Sequence, residues 1–288
     1  MDFIDTHCHM DSILERLELP DFAAFKSRYL SANMGANLGP EGGVPPAEAG
    51  ASPAETGVSP VHFGGCITIS CDPDSVEPAL ALMRSEGVYG AFGIHPHDAK
   101  AYGPELEAKL RAAMANPKTL AWGEIGLDYH YNMSPPEVQR EVFARQIRMA
   151  VESGKPLIIH TREAEADTLE IMEREAPKDW KIHVHCFTSS QDMAERLLAG
   201  FPGLCLGFTG IVTFKNAQEL QQVAKTTPMD RLLLETDGPY LAPIPYRGKP
   251  AHPGHIPFIA QKLAEIKGVP VEEVYAAARE NTRRIYGI

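Results

Sequence analysis

At 288 residues, with 44% hydrophobic and 23% charged side chains, the chain has the make-up of a soluble globular protein of a size that suits one α/β barrel. A net charge of −11 excludes loose attraction of the whole surface to nucleic acid or anionic membrane, though local cations and bound metals can reverse the potential inside one pocket. No run of about 18 apolar residues and no basic-then-apolar leader occurs, and the five cysteines are too scattered for a disulfide framework, so no membrane is expected and the compartment expected is the cytoplasm, or the nucleus.

The chain opens on MDFIDTHCH. Phe3 and Ile4 read as a short strand, where side chains alternate between faces, so His7 and His9 project to one side and Cys8 to the other. Two neutral imidazoles side by side suit a shared metal ion, although such a pair also arises at an exposed strand end. Residues 33–60 follow, rich in Gly and Pro and free of Lys, Arg and aromatic side chains; they build no core and read as a flexible surface insertion, an ordered lid being the other reading.

From there strands and helices alternate. Strands are expected at 63–70, 88–96, 119–128, 157–160, 182–187, 203–208 and 231–237. Helices are expected at 74–85, 105–115, 136–152 (opened by proline), 164–175, 191–198, 217–224, 256–267 and 271–284. With the opening strand this makes eight strand–helix units, the first interrupted by the insertion. Such alternation implies a parallel sheet, and eight units imply a closed (β/α)8 TIM barrel forming one domain over 1–288. No GxGxxG or P-loop phosphate motif follows any strand.

Active sites of such barrels lie at the C-terminal rim of the strands. His7 and His9 end strand one, Glu124 sits near the end of strand four, His160 ends strand five, His185 closes strand six and Asp237 closes strand eight. Singly, Glu124 could face a helix N-terminus, His160 could be a core histidine, and Asp237 could form a turn before Gly238–Pro239. Jointly, four imidazoles and two carboxylates on five strands suit two divalent cations bridged by a carboxylate.

THCHMD, GIHPHD, GEIGLDY, IIHTR, HCF and LLLETDGPYL together resemble the successive signatures of the TatD-type metal-dependent deoxyribonucleases, in the amidohydrolase superfamily. The resemblance runs from residue 4 to NTRRIYG at 281–287 and leaves out 33–60. It implies that His7, His9 and Asp237 hold one metal, that His160 and His185 hold a second, and that Glu124 bridges the two. It further implies hydrolysis of DNA phosphodiesters with Mg²⁺, Mn²⁺ or Zn²⁺, in exonuclease form. One departure stands at 247–253, RGKPAHP, where Ala251 and His252 replace the usual Asn and Glu.

Around this centre, His95 and then His97 of GIHPHD are candidates to donate hydrogen bonds to a phosphate. Arg162 can clamp a phosphate or pair with Glu163 or Glu165. Tyr129 and Tyr131 can stack a base or simply pack, and Arg247 or Lys249 can steady a DNA strand. His183 lies one layer below His185 and reads as structural, His62 and His255 read as ordinary loop or surface residues, and Cys186 and Cys205 as buried small hydrophobes. The expected reaction has Asp237 accept a proton from water activated by two metals. Rival readings are a hydrolase of an amide, lactone or small phosphoester, a silent scaffold, and a nucleic-acid-binding module without chemistry.

Overall fold

A computed structural model of the chain describes residues 1–30, 61–131 and 133–288; the insertion expected at 33–60 lies outside the described residues. Eight parallel strands follow one another in space as in sequence: β1 (Asp2–Cys8), β2 (His62–Ser70), β3 (Val88–Phe92), β4 (Thr119–Asp128), β5 (Leu157–Arg162), β6 (Ile182–Val184), β7 (Leu204–Phe208) and β8 (Leu232–Leu234). The last strand returns to the first. Asp237 N donates to His7 O at 2.9 Å, His9 N donates to Gly238 O at 2.7 Å, and a parallel bridge joins Cys8 to Gly238. The sheet is therefore a closed (β/α)8 barrel, as its alternation of apolar strands and amphipathic helices requires.

The segment between β1 and the insertion holds two helices that the sequence pattern did not locate, α1 (Met10–Arg16) and α2 (Phe22–Tyr29). Asp21 caps α2 by accepting from Ala24 N at 2.8 Å, satisfying one of the free N–H groups of its first turn. The remaining helices fall where expected: α3 (Val76–Leu82), α4 (Pro104–Met114), α5 (Pro136–Ser153), α6 (Glu165–Glu175), α7 (Gln191–Gly200), α8 (Gln218–Thr226), α9 (Ile256–Lys267) and α10 (Val271–Tyr286).

Alternate strand residues Ile67, Ile69, Ala91, Ala121, Ile158, Cys205 and Leu233 form one buried cluster, and Ile285 and Tyr286 at the end of α10 pack against it. A larger cluster joins the strands to the surrounding helices, with Trp122 and Phe143 fully buried in it. Three polar devices then fix the rim. Asp5, wholly buried, accepts from Thr236 N at 3.0 Å and Thr236 Oγ1 at 2.6 Å, which ties the segment after β8 to β1. Gln146 of α5 accepts from Ile94 N at 2.8 Å and donates to Ile94 O at 3.0 Å, holding the segment that carries His95. Gln139, two turns earlier on the same face of α5, accepts from Asp128 N at 2.9 Å and donates to Asp128 O at 3.0 Å, pinning the end of β4. Each glutamine bond satisfies a backbone group that the strand ends leave unpaired, which is why both glutamines are buried.

Candidate metal centre

The candidate ligand residues arrive from β1 and its end, β4, β5 and the turns after β6 and β8, and they converge. Glu124, 2% exposed, stands at the middle of the group. Its Oε2 lies 3.4 Å from His7 Nε2 and 3.9 Å from His9 Nε2. Its Oε1 lies 2.6 Å from His185 Nε2, 2.9 Å from His160 Nδ1 and 3.5 Å from His95 Nε2. Asp237 Oδ1 closes the first set, 3.6 Å from His7 Nε2 and 3.5 Å from His9 Nε2. The His7 and His185 rings stack with centroids 3.9 Å apart, so the two sets share a wall.

Two local backbone features allow this approach. Gly126 has φ +149°, and a Cβ there would collide with the His160 carbonyl, so only glycine lets β5 come this close to β4. Asp237 adopts φ +52°, a left-handed conformation that Asp and Asn tolerate best, and this turns its carboxylate back toward His7 and His9.

The donor set fits divalent ions. His7 is wholly buried and neither of its ring nitrogens makes a hydrogen bond among the described residues, nor does His185 Nδ1. Burial, helped by neighbouring His185, pushes the His7 pKa down to about 4, so the ring is neutral, as a metal ligand must be. Ligand atoms of a tetrahedral ion with bonds of about 2.0–2.1 Å sit about 3.3 Å apart; the His7, His9 and Asp237 set lies near that spacing, at 3.4–3.6 Å to its closest neighbours, while His160 and His185 draw closer to Glu124, at 2.9 and 2.6 Å. His7, His9 and Glu124 form one ligand group, and His95, Glu124 and His160 another.

Without compensating cations the cluster balances its own charge. Burial disfavours a proton on His9, but bonds to Asp237 and Cys71 outweigh it and hold the pKa well above the usual range. Burial likewise opposes charge on His160, yet Asp128 and Glu124 beside it lift its pKa to about 9. Glu124 is itself buried, but the imidazoles around it hold its carboxyl well below the usual carboxylate range.

These side chains floor a cleft of about 740 Å³ at the barrel mouth, lined among others by His9, His95, Glu124, His160, Arg162, His185 and Asp237. His7 lies beneath its surface. The His95 Nδ1 accepts from His97 N at 3.1 Å, which leaves the ring hydrogen on Nε2, facing Glu124. Arg162 reaches the cleft with its guanidinium 4.8 Å from the Tyr131 ring, while Glu163 pairs with His130 at 2.6 Å. Arg247 stands apart: it is exposed on the loop after β8, 4.6 Å from the Phe214 ring, and is not among the side chains lining the cleft.

Sequence reasoning missed several neighbours. Asp128, 1% exposed, accepts from or shares a proton with His97 Nε2 at 2.9 Å and stands 3.4 Å from His160 Nε2. It shares the strand face of Glu124 by the period-two rule that paired His7 with His9, so the signal was present. Glu235, two residues before Asp237, is fully buried with its Oε2 2.9 Å from His183 Nε2, and His183 Nδ1 is 2.7 Å from the Tyr286 hydroxyl. Cys186 is no plain buried hydrophobe: it adopts φ +43° and lines the cleft, as does Cys71, whose thiol burial pushes up to about 11.

The chain matches the family described as TatD related DNase over residues 4–287. The chain belongs to the TatD family. Among relatives, the "3'-5' RNA nuclease TATDN2" of Homo sapiens is 38% identical over 296 aligned residues, covering 99% of this chain but only 35% of the human protein. The "3'-5' ssDNA/RNA exonuclease TatD" of Erwinia amylovora is 36% identical over 219, covering 74% of this chain and 84% of its own length. Relatives from Bacillus subtilis and Escherichia coli carry the name of metal-dependent hydrolase alone. Among solved structures, YJJV, a TatD homolog from Escherichia coli K12, superposes with a TM-score of 0.79 at 25% identity, covering 99% of this chain and 98% of that one. This TatD-family chain is thus a metal-dependent hydrolase. No helix among its described residues is long and apolar enough to cross a membrane.

The variant loop after β8 corrects one expectation. His255 is buried, not a surface residue, and so is His252. Their rings stack at 4.0 Å, with Tyr29 at 4.6 Å from His252 and Tyr246 at 4.4 Å from His255. The His252 Nδ1 accepts from Gly254 N at 3.2 Å, and burial pushes its pKa down to about 3. The unfolded chain takes this proton near pH 6.5 and the folded chain only near pH 3, so stability is whole above about pH 6.5 and falls below it, by roughly 1.4 kcal/mol per pH unit. His252→Asn keeps an acceptor for Gly254 N without a titrating ring. Its Tm should therefore drop less than wild type between pH 7 and pH 5; equal drops would clear His252 of the acid sensitivity.

Proposed function

We propose that this chain is a two-metal 3'–5' exonuclease that hydrolyses phosphodiester bonds of nucleic acid, with DNA a substrate. The observation that carries the reading is the division of Glu124: one oxygen faces His7 and His9, the other faces His160 and His185. A single carboxylate so shared suits two divalent ions, one held by His7, His9 and Asp237 and the other by His160 and His185. Such ions, Mg²⁺, Mn²⁺ or Zn²⁺, supply Lewis-acid charge that acidifies water and offsets phosphate charge. The chain's own groups do the rest. Asp237, 14% exposed at its side chain, is the carboxylate of the set most open to the cleft and accepts the water's proton. Arg162 turns its guanidinium into the cleft toward a bound phosphate, a cation that a protein of charge −11 must concentrate locally, while His95 beside it directs its Nε2–H to Glu124 and holds that carboxylate in place. The names of the human and Erwinia relatives support the polarity and the substrate class. The domain reading, one barrel over 1–288 with 33–60 as an insertion, accompanies this proposal.

The test is metal-reconstituted protein incubated with end-labelled single-stranded DNA, duplex DNA and RNA beside a metal-stripped control. The expected result is about two ions per chain and stepwise release of mononucleotides from the 3' end. Two bound ions with no cleavage of any nucleic acid, and turnover of an amide or lactone instead, would overturn it.

A further inference from the structure

We propose that Tyr131 and Tyr240, each backed by an arginine, are two base-stacking platforms that hold a single strand on opposite sides of the metal centre; this rests on the nuclease reading above. The large hydrophobic side chains left exposed among the described residues are Tyr131, Met133, Tyr240 and Ile244. All four stand on the loops that follow β4 and β8. In a closed barrel of eight strands in sequence order, β4 and β8 lie four places apart in either direction, so these loops face each other across the mouth. Isolated surface apolar residues need no explanation, but two exposed aromatic rings lining one cleft from opposed loops, Tyr131 and Tyr240, do.

Each tyrosine abuts a different half of the centre. The Tyr240 ring lies edge-on to His9, centroids 6.2 Å apart. The Tyr131 ring lies edge-on to His97 at 5.7 Å, and His97 bonds Asp128, which adjoins His160. Each also carries a cation on one face: the Arg16 guanidinium is 4.8 Å from the Tyr240 ring and the Arg162 guanidinium 4.8 Å from the Tyr131 ring. As whole residues Tyr240 and Tyr131 are 48% and 49% exposed, which leaves room for a base against each. An aromatic face takes any base, and an arginine beside it meets the adjoining phosphate, so the pair recognises a strand without reading its sequence. Bases inside a duplex are already stacked on one another and offer no free face. The arrangement therefore selects single strands and frayed ends.

Fluorescence anisotropy on the full chain in EDTA separates binding from turnover. The probes are labelled oligothymidylate and an abasic strand of equal length and charge. Wild type should prefer the base-bearing strand, and Tyr131→Ala or Tyr240→Ala should each weaken oligothymidylate binding by about 5-fold or more, the loss falling on that strand. The double variant should bring the preference close to one, and Tyr131→Phe or Tyr240→Phe should restore it. Arg16→Gln and Arg162→Gln should instead weaken both strands and flatten the salt dependence. Alanine variants that keep the wild-type preference overturn the platforms while nucleic-acid cleavage still stands. A wild type that binds neither strand overturns the platforms, and one that also cleaves no nucleic acid when reconstituted overturns both readings.

Discussion

Glu124→Gln should lower kcat/KM on an oligonucleotide by about 10³-fold or more, on the scale of several kcal/mol that bound divalent ions contribute. The amide is the same size, but it offers one acceptor oxygen where the carboxylate offers two. The nitrogen replaces an oxygen that faces either the His7–His9 side or the His160–His185 side. Either orientation strips one set of its shared ligand, so elemental analysis should show about one ion lost per chain or both weakened. The ion-free protein should suffer too. Glu124 helps to hold protons on the buried imidazoles of His160 and His185, and removing the central anion takes away part of the charge that balances them. Breaking such a buried group costs roughly 3–5 kcal/mol, readable as a lower urea midpoint in EDTA. A variant that keeps both ions and turns over within a few-fold of wild type would sink the bridging role.

The barrel was legible because its period is coarse. Eight apolar runs separated by amphipathic stretches leave few arrangements, and each expected strand has a counterpart. The errors cluster at the C-terminal ends. The apolar pattern ran strand three to 96, strand six to 187 and strand eight to 237, whereas regular pairing stops at Phe92, Val184 and Leu234. The reason is functional geometry: Cys186 and Asp237 take positive φ, and the chain must leave the sheet there to aim His185 and Asp237 inward. Hydrophobicity records burial, not backbone direction, so it overshoots where polar residues are buried by design. α1 and α2 were passed over because they are short and border the Gly/Pro-rich stretch, although Asp21 followed by Phe22 and Phe25 carried a capping signal.

The candidate ligand set was legible for a different reason. A metal site draws its residues from a small chemical vocabulary, and barrel topology says where they must fall. Placement now shows His7, His9, Glu124, His160, His185 and Asp237 in one group, with His95 and Arg162 at its cleft. What surrounds it was harder to read. Asp128, Glu235 and the α5 glutamines act through polar contacts between different elements, such as the paired bonds of Gln146 to Ile94. A glutamine in an amphipathic helix looks like surface until the opposing strand end is known. Arg247 shows the converse: a cation next to a motif was a natural candidate, yet its loop carries it over Phe214.

Asp237→Asn should lower turnover by about 10²-fold or more, the scale that loss of a general base carries, while metal content falls less than in Glu124→Gln. The backbone favours the experiment, since φ +52° suits Asn as well as Asp and the substitution adds no strain. The amide oxygen can still lie near His7 and His9, now 3.6 Å and 3.5 Å from Asp237 Oδ1, and those rings with Glu124 Oε2 continue to offer three ligands. What disappears is the charge and the ability to take a proton. The two roles of Asp237 separate by titrating metal into the variant. If the carboxylate served as a ligand alone, raising Mn²⁺ would refill the site and return turnover to the wild-type level. If Asp237 also accepts the proton, the variant should reach full metal occupancy and stay slow, with kcat lowered and KM for the oligonucleotide little changed. Full recovery at high metal would remove the proton-acceptor role and leave that step to another group at the cleft.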